Sequence, residues 1–370
     1  MSRRQFSWLL GAALAAVLAV VLLAPREAGE EDAPDARLLP DLVARVNDVE
    51  RISIVAAGAS EVVTLQRGEQ GWVVEQLGGY PADWQKVHAL LRDLAEAEVV
   101  ESKTANPAYH ARLGVEDIEV DDAAGVLVRV GADSPLGVVV GHVPSGRDGR
   151  YVRLEGSEQA LLVDRELQLP PSPVEWAQRD IVDFASSNVR EVEILHPDGD
   201  RVLVSKASAE AADFALLNVP EGREARGGWA NNQLGGLFTR LRADDIRLDD
   251  LAGETPAEDV PDPVRIRVQT FDGLELIGEL YALGPEGETE DWLRLRAAQP
   301  GAPPADGPGE TAGETAGDSA VNEDATDATP RDTLEAIQAR TSGWLFRVPA
   351  FKADTMRQRR EDLLEPVSET

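Results

Sequence analysis

The sequence predicts an α+β protein: two tandem repeats of a strand-rich module, each pairing antiparallel sheet with one main amphipathic helix, behind an N-terminal transmembrane helix. Three observations predict it. Short runs of alternating apolar and polar residues recur along the chain, as half-buried strands require. Each half contains one stretch of helical periodicity. The order of elements in residues 38–183 then returns in residues 184–370.

Residues 1–25 read as a membrane anchor. Residues 6–24, FSWLLGAALAAVLAVVLLA, carry no charge and come close to the roughly 20 apolar residues that span a hydrocarbon core as a helix. Arg3 and Arg4 precede this run, whereas Glu27, Glu30, Glu31 and Asp32 follow it with only Arg26 among them. The positive-inside bias leaves the N-terminus in the cytoplasm and places the bulk in the periplasm, as a single-pass protein of a bacterial inner membrane. A cleaved signal peptide and a buried core helix remain as alternatives. Pro25 directly after Ala24 disfavours cleavage there, and SRRQF also resembles a twin-arginine export signal. Residues 26–37, REAGEEDAPDAR, are too polar to pack and predict a flexible acidic tether.

The folded part opens near Leu38. In NDVERISI (47–54), Val49, Ile52 and Ile54 alternate with charge, and SNVREVEI (187–194) does the same with Val189, Val192 and Ile194. EVVTLQR (61–67) and DRVLVSK (200–206) give the second strands, the latter after the hairpin turn His196-Pro-Asp-Gly199. Third strands are expected around Trp72–Glu75 and Phe214–Val219. Each half then carries its helix: Val87, Leu90, Leu91, Leu94 and Ala95 share one face, as do Leu234, Leu237, Phe238 and Leu241, with Asp83 and Asn231 as N-caps. Both helices run into a β-like tail, EVVES and DDIRL.

The match continues through GVLVRV and VRIRV, PLGVVVG and DGLELIG, RYVRL and DWLRLR, then QALLVD and GWLFRV. The step along the chain from Asn47 to Asn188 is nearly the same as the step from Val126 to Val264. Offsets so nearly equal over many elements indicate a duplication. Residues 299–331, with GETAGETAGDSA and almost no large apolar side chain, fall where the first half has only the turn GSE. They read as a disordered acidic insertion in the second repeat.

These patterns resemble a known family. The N-terminal anchor, GWVV after a turn, the helix ending in EVVES, YHARLGV (109–115) and the closing FRVPAFKADTMRQRREDLLEP are together similar to the bacterial domain-of-unknown-function family 4340. The likeness covers almost everything after Leu38 and rests on packing patterns. It implies an encoding beside an ABC-type transporter permease, its ATPase and a gliding-motility-like auxiliary protein, and it brings no established activity. The acidic insertion departs from the pattern.

Composition narrows the function. With 67 acidic against 36 basic residues, the net charge of -31 repels nucleic acid, so no nucleic-acid partner is expected. Cysteine is absent, which excludes disulfides, thiolate metal sites, cysteine nucleophiles and a lipoprotein cysteine. No phosphate-binding loop, dinucleotide fingerprint, HExxH or nucleophile elbow occurs. His88, His110, His142 and His196 are scattered, and the acid pairs Asp121–Asp122, Asp244–Asp245 and Asp249–Asp250 belong to no DxDxDG loop. No catalytic, cofactor-binding or metal-binding residue is therefore assigned, and no cofactor is expected. Trp72, Trp84, Trp176, Trp229, Trp292 and Trp344 read mainly as core residues.

The resulting expectation is a non-enzymatic, membrane-anchored periplasmic accessory or scaffold protein, held by residues 6–24 and partnered with proteins of an ABC-type transport or gliding-motility-like complex. The alternative is a periplasmic module that binds a glycan or similar polymer.

Overall fold

The computed structural model describes residues 37–132, 135–252, 260–285, 288–299 and 334–366. The expected anchor, nearly all of the tether and the bulk of the acidic insertion lie outside these residues. Among the described residues, no helix is long and apolar enough to cross a membrane.

The fold is α+β and strand-rich. Strands β1 (Arg51–Ala56), β2 (Ser60–Gly68), β3 (Gly71–Val74), β4 (Tyr80–Pro81), β5 (Val99–Ser102), β6 (Val126–Val130), β7 (Leu136–Val140), β8 (Arg150–Leu154) and β9 (Ala160–Val163) form one sheet in the order β4-β3-β2-β1-β6-β7-β8-β9-β5. β10 (Asp180–Val182) is followed by β11 (Val189–Leu195), β12 (Arg201–Ser205), β13 (Ala215–Leu216), β14 (Leu241–Arg242), β15 (Asp245–Leu248), β16 (Val264–Thr270), β17 (Glu275–Leu283), β18 (Glu290–Ala298) and β19 (Trp344–Arg347). Here the order is β13-β12-β11-β16-β17-β18-β19-β15, with β10 and β14 as a separate pair. The pairings are antiparallel, from Leu65 opposite Val74 to Leu248 opposite Trp344.

With the short β4 set aside, the two orders correspond strand for strand. In each sheet the strand that follows the main helix, β5 or β15, lies at the edge beside the last strand, β9 or β19. Apolar alternation explains the pairing: Ile52 and Ile54, Val192 and Ile194, and Val202 and Val204 are all buried, and the residues between them are less so.

Among the described residues, the chain divides into two compact units: residues 37–49, 55–60 and 89–168, and residues 50–54 and 61–88 with those from 169 onward. In the first unit, Leu38, Leu39 and Leu42 at the short helix Pro40–Arg45 are buried, and Leu38 N donates to Ala97 O at 2.8 Å. Val55, Val115, Ile118, Leu127, Val139 and Ala160 make a core cluster there.

The main helix of the N-terminal half, Trp84–Glu96, buries Val87, Leu90, Leu91 and Leu94, and Asp83 Oδ1 accepts from Gln85 N at 3.1 Å as the expected cap. Its counterpart runs from Gly228 to Gly235, so it starts ahead of the expected cap at Asn231. Asn231 lies inside the helix and is buried; its Nδ2 donates to Phe214 O at 3.0 Å, while Asn232 Oδ1 accepts from Phe214 N at 2.9 Å. The two amides tie the helix to the segment entering β13, which is why polar side chains occupy this face. A β-carbon at Gly235 would stand 2.1 Å from Phe214 Cε2, so only glycine lets helix and ring approach.

Short helical turns close both halves. Helix Pro173–Trp176 is followed by a bridge between Ala82 and Ala177, with Asp83 N donating to Trp176 O at 2.7 Å and Gln178 N to Pro81 O at 2.9 Å. The turn Arg360–Leu363 is followed by a bridge between Ala225 and Leu364, with Arg226 N donating to Leu363 O at 2.8 Å and Glu365 N to Glu224 O at 2.8 Å.

Candidate interaction site

The histidines do not come together. His88 and His142 are not buried, whereas His110 and His196 are, with Nε2 at 2.9 Å from Glu158 O and 3.1 Å from Gln358 O. Each buried ring thus meets a peptide carbonyl. Among the described residues, no group of three His, Cys, Asp or Glu is arranged to hold a metal ion.

The acid pairs do not converge within themselves. Asp121 and Asp122 are exposed, Asp244 lies 3.5 Å from Arg179, and Asp245 Oδ1 accepts from Ile246 N at 2.8 Å. Asp249 and Asp250 are split between partners. Asp250 pairs with Arg247 at 3.7 Å on the surface, while Asp249 is buried in a two-pronged bond with Arg294, Nε to Oδ2 at 2.6 Å and Nη2 to Oδ1 at 2.7 Å.

Arg294, on β18, completes this network by donating through Nη1 to Glu279 Oε2 and to the Tyr281 hydroxyl, each at 2.9 Å. Burial alone would lower the guanidinium pKa, but the carboxylates of Asp249 and Glu279 outweigh it and raise the value. Burial first, and Glu279 next, push the Tyr281 phenol up to about 12. On β8, Arg153 is buried at the corresponding place. Its Nε donates to Val115 O at 2.7 Å, Nη1 to Ser157 O at 2.8 Å and Nη2 to Asp117 Oδ1 at 2.6 Å. The sequence signal for both is the shared Arg of RYVRL and DWLRLR, set apart by the same step as Asn47 and Asn188, and a charged residue in a strand disguises it as solvent-facing. Each guanidinium nitrogen of both residues has an acceptor, so these arginines hold structure together.

The tryptophans differ from expectation in a way that matters. Trp72, Trp176 and Trp292 are buried and Trp344 is half-buried, as core residues should be. Trp84 and Trp229 are 58% and 65% exposed. Both stand in the first turn of the main helix of their half. Side chains on a helix lean toward its N-terminus, so a residue in the first turn projects past the helix end and out of the packed layer.

Each indole has a distinct setting. The Trp84 ring lies 5.4 Å from the His88 ring, one turn on, at an interplanar angle of 40°. Trp229 sits on the helix that packs against helix Ala350–Met356, whose Phe351 is 66% exposed. Lys352 fixes this helix pair: its Nζ donates to the carbonyls of Gly236, Leu237 and Thr239 at 2.8, 2.9 and 2.9 Å, closing the end of the Trp229 helix. Burial pulls the pKa of that ammonium down. Exposed aromatic rings on rigid helices are suited to gripping a partner surface, because they offer large contact area at low entropic cost.

Compared with known families, the chain matches the model of the family described as Domain of unknown function (DUF4340) over residues 72–263. Comparison with curated proteins found no match. Comparison with solved structures found none either.

Proposed function

The chain belongs to the domain-of-unknown-function family 4340, and from that premise we propose that it is a non-enzymatic accessory or scaffold protein, anchored in the inner membrane by residues 6–24, with tandem modules that contact a membrane transport complex from the periplasmic side. The observation that carries this reading is the exposed tryptophan at the first turn of the main helix in each half. A side chain of this size left in water in the first turn of the main helix of each half points to contact with another molecule.

Tandem duplication is supported by the matching strand orders and by main-chain bonds that recur at fixed spacing. The step from Asp83 to Arg226 equals the step from Pro81 to Glu224, and the longer step from Trp176 to Leu363 equals that from Gln178 to Glu365. The greater length of the second step accommodates residues 299–331, the expected insertion.

Photo-crosslinking residues at positions 84 and 229, in the full chain in its native membrane, test the reading. Crosslinks to integral or associated proteins of a transport complex are expected at both positions. Crosslinks to glycan alone would replace the proposal with the polymer-binding alternative, which the same exposed indoles would serve. A reporter active only outside the cytoplasm, fused after Thr370, tests the anchor; release of a soluble form lacking the first residues overturns it.

A further inference from the structure

The turn that precedes Trp84 is built into the second compact unit more deeply than a surface hairpin needs to be. Tyr80 is fully buried, and its ring meets Trp344 and Phe346 of β19 edge-on, with centroids 5.0 and 5.9 Å apart. Its hydroxyl donates to Gln178 O at 3.2 Å. On one side of it, Gly78 has φ +68° and lies so close to Leu248 of β15 that a β-carbon would stand 2.7 Å from Leu248 Cγ. On the other, Ala82 bridges Ala177, Asp83 N donates to Trp176 O, and Lys86 Nζ donates to Glu175 O. Residues 61–88 are accordingly part of the same compact unit as the described residues from 169 onward.

We infer that Tyr80 is the pin of a clasp that fastens residues 61–88 to helix Pro173–Trp176, β15 and β19 and thereby fixes Trp84, one helical turn further on, in its exposed position. The part that concerns Trp84 rests on the proposed function above; the clasp itself does not. Tyr80 is then a positioning residue: it touches no partner, yet contact through Trp84 depends on it. An aromatic wedge holds by packing, so its phenyl ring matters more than its hydroxyl.

The absence of cysteine gives a clean test. Cα atoms of antiparallel bridge partners lie about 4.5–5.5 Å apart, within disulfide range, so Ala82→Cys with Ala177→Cys re-fastens the clasp covalently. Amide hydrogen exchange on the full chain in detergent should show Tyr80→Ala losing protection on the order of tenfold or more at residues 80–83 and 344–347, with β6 to β8 unchanged. Tyr80→Phe should retain most of that protection, and the oxidised cysteine pair should restore it in the Tyr80→Ala chain. Crosslinking from position 84 should fall and recover in step, while crosslinking from position 229 stays constant. Unchanged exchange at 80–83 in Tyr80→Ala, loss spread equally over β6 to β8, or loss that the disulfide does not reverse would overturn the clasp. Exchange as expected without any crosslink from position 84 would instead leave the clasp standing and remove the contact role of Trp84.

Discussion

Arg153 and Arg294 occupy corresponding strands, β8 and β18, and both are buried, yet they are satisfied by different chemistry. Arg153 donates to two peptide carbonyls and to Asp117, whose carboxylate is 79% exposed. Arg294 is held by the buried Asp249 together with Glu279 and Tyr281. A similar contrast holds elsewhere in the sheets: Arg129 of β6 pairs with Glu155, while Arg267 of β16 meets Glu191, Glu193 and Glu275. What repeats is the placing of a long cation on a given strand to fasten the connection beside it. The partner that receives the cation is free to differ, because a carbonyl and a carboxylate both accept from a guanidinium, with very different costs of being abandoned.

The largest effect is expected at Arg294. Arg294→Met strands a buried carboxylate, and a loss of about 3–5 kcal/mol is expected in denaturant unfolding. Adding Asp249→Leu should recover much of it, since removing both charges is far less harmful than removing one. Arg153→Met leaves carbonyls unpaired and Asp117 in water, so about 1–3 kcal/mol is expected from the same measurement. Equal losses in the two variants would show that the partners' chemistry does not set the cost.

Alkaline pH separates the halves further. The Tyr281 phenol, pushed up to about 12 by burial and Glu279, favours the protonated form in the folded chain. The stability it contributes is present in full below the ordinary tyrosine value of about 10 and is lost as pH rises through the folded value. Exchange at β17 and β18 should therefore quicken above pH about 10 before that at β6 to β8 does, and Tyr281→Phe should reduce the difference. The smallest effect belongs to the exposed indoles. Trp84→Ser and Trp229→Ser should each change unfolding free energy by no more than about 0.5 kcal/mol, while abolishing the crosslinks from neighbouring positions.

Most of the strands, though not their order in the sheets, are legible in the sequence because period-two alternation reports burial directly: EVVTLQR, VRIRV and GWLFRV all lie largely in strands. The second helix was harder. Asn231 fits the chemistry of a cap, and nothing local announces that Asn231 and Asn232 instead face Phe214. The exposed tryptophans depart from expectation for a different reason: average burial of an indole is a statement about area, and position in the first helical turn outweighs it at Trp84 and Trp229. The buried arginines share the signal of the matched Arg in RYVRL and DWLRLR, but that spacing does not reveal acceptors such as Val115 O and Asp249, which lie far off along the chain.

The contact between Gly235 and Phe214 also governs what can be exchanged between the halves. The longer helix of the N-terminal half is not a drop-in replacement for its counterpart, because its side chains would enter the space that the Phe214 ring fills. A chimera that transplants Trp84–Glu96 into the second half must also carry a smaller residue at position 214. Swapping helices in this chain is thus a problem of compatible pairs, in which helix and facing ring have to be moved together.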